Sequence, residues 1–120
     1  MLRERQHQIT VKIRVMQIGE LTIHGKSHSV TPLELLPSGL VFLCPWEIPI
    51  HSNVILGYEI DDNVDHILLS GRIESRGLFY GRQLYHTEFH TDVDKKTRIV
   101  GMLNRMMFGH NESNKMSLYN

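Results

Sequence analysis

The sequence has 120 residues, the length of one ordinary domain, and its 41% hydrophobic content is sufficient for a compact core. Lys and Arg number 13, as do Asp and Glu, so the net charge is zero, which argues against overall attraction to nucleic acid or anionic lipid. No apolar stretch approaches the roughly 20 residues of a membrane span. The polar N-terminus shows no apolar segment of a signal peptide and the single cysteine cannot form an internal disulfide, so we expect a cytoplasmic protein.

The first third of the chain has the pattern of short strands separated by turns. Residues 9–15 alternate between apolar and polar side chains, which is the period of a half-buried strand. Pro32 has no N–H for a strand ladder, so we expect it at an edge or a bulge. Turns are predicted at residues 19–20 and 25–26, with extended segments at residues 21–24 and 27–36.

Residues 34–39, "ELLPSG", are named the corner here. Proline presets φ at the second position of a β-turn and glycine suits the fourth, so Pro37 and Gly39 predict a turn. Strand and turn signals continue beyond it at intervals of about 8 to 12 residues, which favours a small, closed or nearly closed β-barrel. They predict a buried strand at 40–44, a strand at 53–60, a solvated acidic turn at 61–65, and a hairpin of 66–75 with 82–89.

The pattern changes to that of a helix after residue 90. Thr91 can cap the helix N-terminus, and Gly109 is a plausible stop. The polar segment 110–120 is expected to be a flexible tail, which leaves 1–109 as the domain. The apolar residues at helical spacing predict an apolar stripe of Val93, Val100, Leu103 and Met107, widened by Ile99, Met102 and Met106, which could pack on the barrel or bind a partner.

Signals for catalysis or metal binding are weak. The pairs His24/His28 and His86/His90 lie four residues apart, but on a strand that spacing is about 13 Å, too long for one ion without a turn. Cys44 lies in an apolar run and favours a buried structural thiol. Trp46 could stack on a base, although a side chain that covers the barrel mouth is the favoured interpretation. No motif of an enzyme is present, so we expect a non-enzymatic protein without a metal or cofactor.

The order of the predicted elements resembles that of a PilZ domain. It consists of a basic N-terminal arm, a first strand, the corner about thirty residues later, more antiparallel strands and a last helix. "ILLSGRIESRG" and "RQLYHTEFHTDVDKKTRIVGMLNRM" are similar to the last two strands and the helix of that family. The resemblance covers residues 3–108 and implies a six-stranded antiparallel β-barrel with one C-terminal helix. It also implies cyclic di-GMP as a possible ligand.

The ligand motifs of that family are RxxxR before the first strand and (D/N)xSxxG at the corner. The first aligns with "RERQH", where Arg3 matches, His7 replaces the second arginine, and Arg5 is out of register. The second aligns with the corner, where Glu34 replaces Asp or Asn, Leu36 replaces Ser, and Gly39 matches. The resemblance therefore implies a degenerate ligand site, with these residues as its members: Arg3, Arg5, His7, Glu34, Ser38 and Gly39.

Two functions remain open at this point. The first is a bacterial signalling module of the cyclic di-GMP receptor type with weak or lost binding, because two missing charge-assisted hydrogen bonds cost about 3 to 6 kcal/mol. His7 would then bind phosphate better as the pH falls through about 6.5. The second is a protein-interaction or homodimerisation module that uses the methionines of the helix. Nucleic-acid binding by the small barrel is the least favoured interpretation, given the zero net charge.

Overall fold

Seven strands and one helix lie within residues 8–48 and 53–108, the parts of the chain that this computed structural model describes. They are β1 (Thr10–Ile18), β2 (Leu21–Thr22), β3 (His28–Leu36), β4 (Gly39–Cys44), β5 (Val54–Asp61), β6 (His66–Phe79), β7 (Arg82–His90) and α1 (Val93–Phe108). The predicted helix stop at Gly109 and the predicted tail at 110–120 lie outside the described residues.

The strands form one antiparallel sheet in the order β2-β1-β3-β4-β7-β6-β5, and β5 also pairs with β1. That last pairing closes β1, β3, β4, β7, β6 and β5 into a six-stranded barrel, which confirms the predicted fold class. β2 is an additional two-residue strand that folds back on the end of β1. The β3–β4 register shifts between Pro32 and Glu34, so the bulge expected at the proline is present.

Alternation along the strands directs apolar side chains into the barrel. In β1, Val11 and Ile13 are buried while Lys12 and Arg14 point outward. The interior of so small a barrel is filled by side chains rather than left as a channel. Its middle contains four packed rings, with centroid separations of 5.3 to 6.3 Å: Phe42, Tyr58, Tyr85 and Phe89.

The buried tyrosine hydroxyls have hydrogen-bond partners. The Tyr58 hydroxyl lies 2.6 Å from Thr87 Oγ1, which donates to the carbonyl of Arg72 at 2.7 Å, so the tyrosine is the donor of this pair. The Tyr85 hydroxyl accepts from the N–H of Ile48 at 2.6 Å and donates to the carbonyl of Trp46 at 3.1 Å. Desolvation raises the pKa of Tyr58, so this hydroxyl stays protonated inside the barrel.

α1 begins at Val93, and Asp92 rather than the predicted Thr91 provides its cap. A carboxylate oxygen of Asp92 accepts the N–H of Lys95 at 2.8 Å, the hydrogen bond of an N-cap residue to the third helical position. Only part of the predicted apolar stripe is buried. Val93 is 80% exposed and Met107 is 59% exposed.

The side chains of α1 that enter the core are Ile99 and Met102, both fully buried, with Leu103 packed beside them. These three residues belong to the stripe predicted from the sequence, but the stripe is wider than the face that α1 buries against the barrel, and its other members are exposed: Val93, Val100, Met106 and Met107. Met102 is therefore unavailable to a partner, whereas Met106 and Met107 remain exposed.

Two ion pairs attach α1 to the turn between β5 and β6. Arg105 Nε lies 2.6 Å from Asp62 Oδ2, and Arg98 binds Asp65 with its Nε and its Nη2 at 3.0 and 2.7 Å. The predicted solvated turn was wrong for Asp62, which is 1% exposed. Its second oxygen accepts the N–H groups of Val64 and Asp65 at 3.0 and 2.8 Å, so it is both a turn residue and an anchor of the helix.

These contacts lower the pKa of both carboxyl groups. At Asp62, desolvation acts in the opposite direction, but the hydrogen bonds from Arg105 and the two backbone N–H groups outweigh it. At Asp65, the hydrogen bond from Arg98 lowers the pKa to about 2. Within the described residues, no helix is both long and apolar enough to cross a membrane.

Candidate functional site

The corner is a tight turn between β3 and β4, as predicted. Leu36 pairs with Gly39, and residues 37–38 form the turn. Alternation buries Leu35 inside the barrel and leaves Glu34 and Leu36 exposed on its outer face. The aligned motif positions 34 and 36 therefore share one outer face. Arg3, Arg5 and His7, the predicted members from the N-terminal arm, lie outside the described residues.

Gly39 is in close contact with the backbone of β7. An ideal Cβ on this residue would overlap the carbonyl oxygen of Thr87. The N–H of Phe89 donates to the carbonyl of Ser38 at 2.8 Å, so the same turn is also hydrogen-bonded to β7. The glycine therefore has a structural requirement that is independent of any ligand.

The outer side of the corner contains a small hollow of about 140 Å³. Leu36, Ser38 and Gly39 line one side of it, and side chains of later strands complete it: Glu74, His86 and Glu88. Glu34 lies on the same outer face. It pairs with Val41 on β4, and Val41 pairs in turn with His86 on β7. Three carboxylates thus lie in or beside this hollow, and they disfavour an anionic ligand.

Sequence reasoning missed the later-strand residues of this hollow. Glu74 and Glu88 are distant from the corner along the chain, and only the pairing of Gly39 with Glu88 and the β6–β7 register bring them there. The register shifts between Ile73 and Ser75, so Glu74 lies at a bulge. Arg72 is the cross-strand partner of Glu88 but does not line the hollow.

Of the corner residues named from the sequence, Glu34 and Ser38 are exposed, whereas Gly39 is buried against the backbone of β7. Leu36, in the place of a hydrogen-bonding serine, is 42% exposed beside them and offers the hollow no polar group. The structure brings Ser38 and Gly39 together in the hollow, but it adds two glutamates and a histidine rather than a cation.

The histidine pairs do not combine into a metal site. His86 and His90 lie on β7, as predicted, and pair with different β6 residues, Ser75 and Ser70. Among residues 8–48 and 53–108, no three His, Cys, Asp or Glu side chains are grouped closely enough to hold an ion. Cys44 is fully buried, which confirms the structural interpretation, and desolvation raises the pKa of its thiol, so it is a poor nucleophile.

Trp46 lies at the end of the barrel that α1 does not cover. Its ring packs edge-on against His28 at a centroid distance of 5.1 Å and lines an apolar hollow of about 360 Å³. Ile13, Leu56 and Ile48 line the same hollow, so it opens into the barrel interior. The indole is 41% exposed and is part of the barrel mouth, the interpretation that the sequence favoured.

Comparison with known protein families, with curated proteins and with solved structures gave no match to this chain.

Proposed function

We propose that this chain is a non-enzymatic signalling module of the PilZ type, acting in the bacterial cytoplasm, whose corner has weak or no affinity for cyclic di-GMP. The observation that carries the proposal is the composition of the corner's outer face. Leu36 stands where a hydrogen-bonding side chain is needed, and Glu74 and Glu88 line the hollow in which an anionic ligand would lie.

The placement of the two motif segments supports the PilZ assignment. Val11 pairs with Val30 and Ile13 with His28, so β3 runs from the middle of β1 past its beginning towards the corner. The beginning of β1 and the corner therefore face the same end of the barrel. The segment with Arg3 and His7 directly precedes β1 in the sequence, which is the position where an arginine arm could reach a ligand at the corner.

The chemistry of the corner supports weak binding. An intact site would use an arginine fork for phosphate and two polar side chains for guanine, and each such charge-assisted bond contributes about 1.5 to 3 kcal/mol. Losing two of them weakens binding by a factor of about a hundred to over ten thousand. Gly39, the one motif residue that matches, is already required by the contact with Thr87 and so says little about a ligand.

Titration calorimetry of cyclic di-GMP with the purified chain, with GTP as the control, tests this proposal. We expect a dissociation constant in the millimolar range or no measurable heat. A micromolar or tighter constant for cyclic di-GMP that is absent for GTP would show that the corner is functional despite its substitutions.

A second function is favoured by the outer face of α1. Val93, Val100 and Met107 recur every seven residues on one face of α1 and are 80%, 41% and 59% exposed, whereas Met106 lies on the face of the buried Ile99 and Met102. Methionine adapts to irregular surfaces, so this face suits a protein partner or a second copy of the chain. Light scattering of the wild type and of Met107→Asp measures the dimer directly, and a monomer in both excludes homodimerisation through this face.

A further inference from the structure

A groove of about 280 Å³ lies on the outer face of β1, β5 and β6, on the other side of the barrel from the corner. The strand register aligns one residue from each of four strands across it, in the order Arg14, Gly57, Ser70 and His90. The Ser70 hydroxyl and His90 Nδ1 are 3.3 Å apart, so polar groups form one end of this row. Gly57 has no side chain, so the Met16 side chain lies over the middle of this row.

The floor of the groove is apolar. An ideal Cβ at Gly57 would lie 2.7 Å from Sδ of Met16 and 3.5 Å from Cγ of Arg14, so both side chains extend over the glycine backbone. Leu68, which is 61% exposed, lies on the β6 side. A flat ring placed here would contact the thioether and the leucine, and sulfur–aromatic contacts of this kind are favourable.

The rim of the groove is cationic. Lys12 and Arg14 are exposed on β1, and Lys95 reaches it from the first turn of α1, where it is half-buried. None of the three forms an ion pair with another described residue. The single carboxylate of the groove, Glu59, lies 3.5 Å from Nε2 of His66. Three fixed positive charges thus face the groove against one negative charge.

The three cationic groups outnumber the one carboxylate, Glu59, which faces Lys12 across the β1–β5 ladder. Such an excess of positive charge suits phosphate, since arginine offers a planar fork and lysine a point charge. The volume of about 280 Å³ lies just below that of ordinary ligand pockets, which is about 300 to 1,000 Å³. A ligand of the size of one nucleotide therefore matches the groove better than a dinucleotide.

We propose that this groove binds a small phosphate ester that carries a flat ring, of the size of a nucleoside monophosphate. The phosphate lies among Lys12, Arg14 and Lys95, and the ring lies over Met16 and Leu68. This site shares no residue with the corner, so the two proposals can be tested independently of each other.

Titration calorimetry with AMP tests the groove, with adenosine and inorganic phosphate as ligand controls. We expect AMP to bind, and adenosine and phosphate to bind at least tenfold more weakly, because each lacks one half of the recognised chemistry. Arg14→Ala and Lys95→Ala should each weaken AMP binding about tenfold or more, the effect of losing one charge-assisted hydrogen bond. Amide chemical shifts should change at Gly57 and Ser70, not at Gly39.

Lys96→Ala is the matched control, because Lys96 is the exposed neighbour of Lys95 on α1 and does not line the groove. Circular dichroism of each variant establishes that it is folded. The proposal is overturned if millimolar AMP does not bind, if Lys96→Ala weakens binding as much as Lys95→Ala, or if adenosine binds as well as AMP. It is also overturned if a single-stranded RNA occupies the same residues much more tightly than AMP does.

Discussion

The corner and the groove are both built on the outer face of the barrel around a strand glycine, yet they have opposite charge. The corner presents Glu34, Glu74 and Glu88, whereas the groove presents Lys12, Arg14 and Lys95. The zero net charge of the chain is thus compatible with two regions of opposite sign on its surface. A neutral composition therefore excludes a global electrostatic attraction but not a local one.

The two glycines also differ in what lies against them. At Gly39 the neighbour is the carbonyl oxygen of Thr87, which is fixed by the β4–β7 ladder. At Gly57 the neighbour is the end of the Met16 side chain, which can rotate away. The first glycine is thus a requirement of the fold, and the second gives space to a flexible side chain.

Substitution of the glycines by alanine gives the largest expected difference between the two regions. Gly39→Ala should lower the free energy of unfolding by about 3 kcal/mol, because the methyl group can be accommodated only if the backbone of β4 or β7 moves. Gly57→Ala should change it by less than about 1 kcal/mol, since Met16 can move and alanine suits a strand better than glycine. Urea unfolding at pH 7 measures both.

Gly77→Ala is the matched control, because an ideal Cβ on that glycine meets nothing within 4 Å. Equal destabilisation of the Gly39 and Gly57 variants would show that the two positions are equally constrained, and the contrast between the regions would then rest on charge alone.

Local sequence patterns were sufficient to predict the strands, the corner and the barrel. The alternation of apolar and polar residues in β1 places the apolar side chains on one face of the strand. Pro37 and Gly39 favour a turn independently of the residues that pack around it. The neighbours of the corner could not be predicted in this way. Glu74 and Glu88 reach it through a strand register that includes a bulge, and a shift by one residue would have placed both inside the barrel.

Helix α1 shows the same limit. Its sequence allows several apolar stripes, and the barrel end it covers selects Ile99 and Met102 over Val93 and Met107. Asp62 could not be distinguished from a solvated turn residue, because its partner Arg105 is 43 residues away. No local sequence motif indicates the groove, because the residues aligned across it come one from each of four strands.

Restoring the corner motif should produce the next largest effect and should leave the groove unchanged. The combined substitutions His7→Arg, Glu34→Asp and Leu36→Ser return an arginine fork and a hydroxyl, so we expect cyclic di-GMP to bind at least a hundredfold more tightly, or about 2.7 kcal/mol. Calorimetry compares it with the wild type. AMP binding should not change, and an unchanged cyclic di-GMP affinity in the folded variant would argue against the PilZ assignment.

Acid should loosen the attachment of the helix that carries Lys95. Arg98 lowers the pKa of Asp65 to about 2, below its ordinary value of 3.8, so the pair stabilises the fold fully above about pH 4 and progressively less as the pH falls towards 2. After allowance for solvent screening, we expect the pair to contribute about 1 kcal/mol to the free energy of unfolding. Urea unfolding at pH 6 and pH 3 should show a smaller pH effect in Asp65→Asn than in wild type, and an identical effect would contradict this role of Asp65.

Neutralising one carboxylate in each region should produce the smallest effect and the most direct comparison of their charges. Glu59→Gln removes the single negative charge of the groove, so AMP should bind about threefold more tightly, the size expected for a partly screened charge. Glu88→Gln, the same substitution in the corner hollow, should leave AMP binding unchanged.

The salt dependence shows whether the gain at Glu59 is electrostatic. Because dissolved ions screen such interactions, the gain in AMP affinity should shrink when the salt concentration is raised from about 50 mM to about 500 mM. A gain that persists at high salt would identify a steric rather than an electrostatic effect of the glutamate, and an equal gain from Glu88→Gln would place AMP outside the groove.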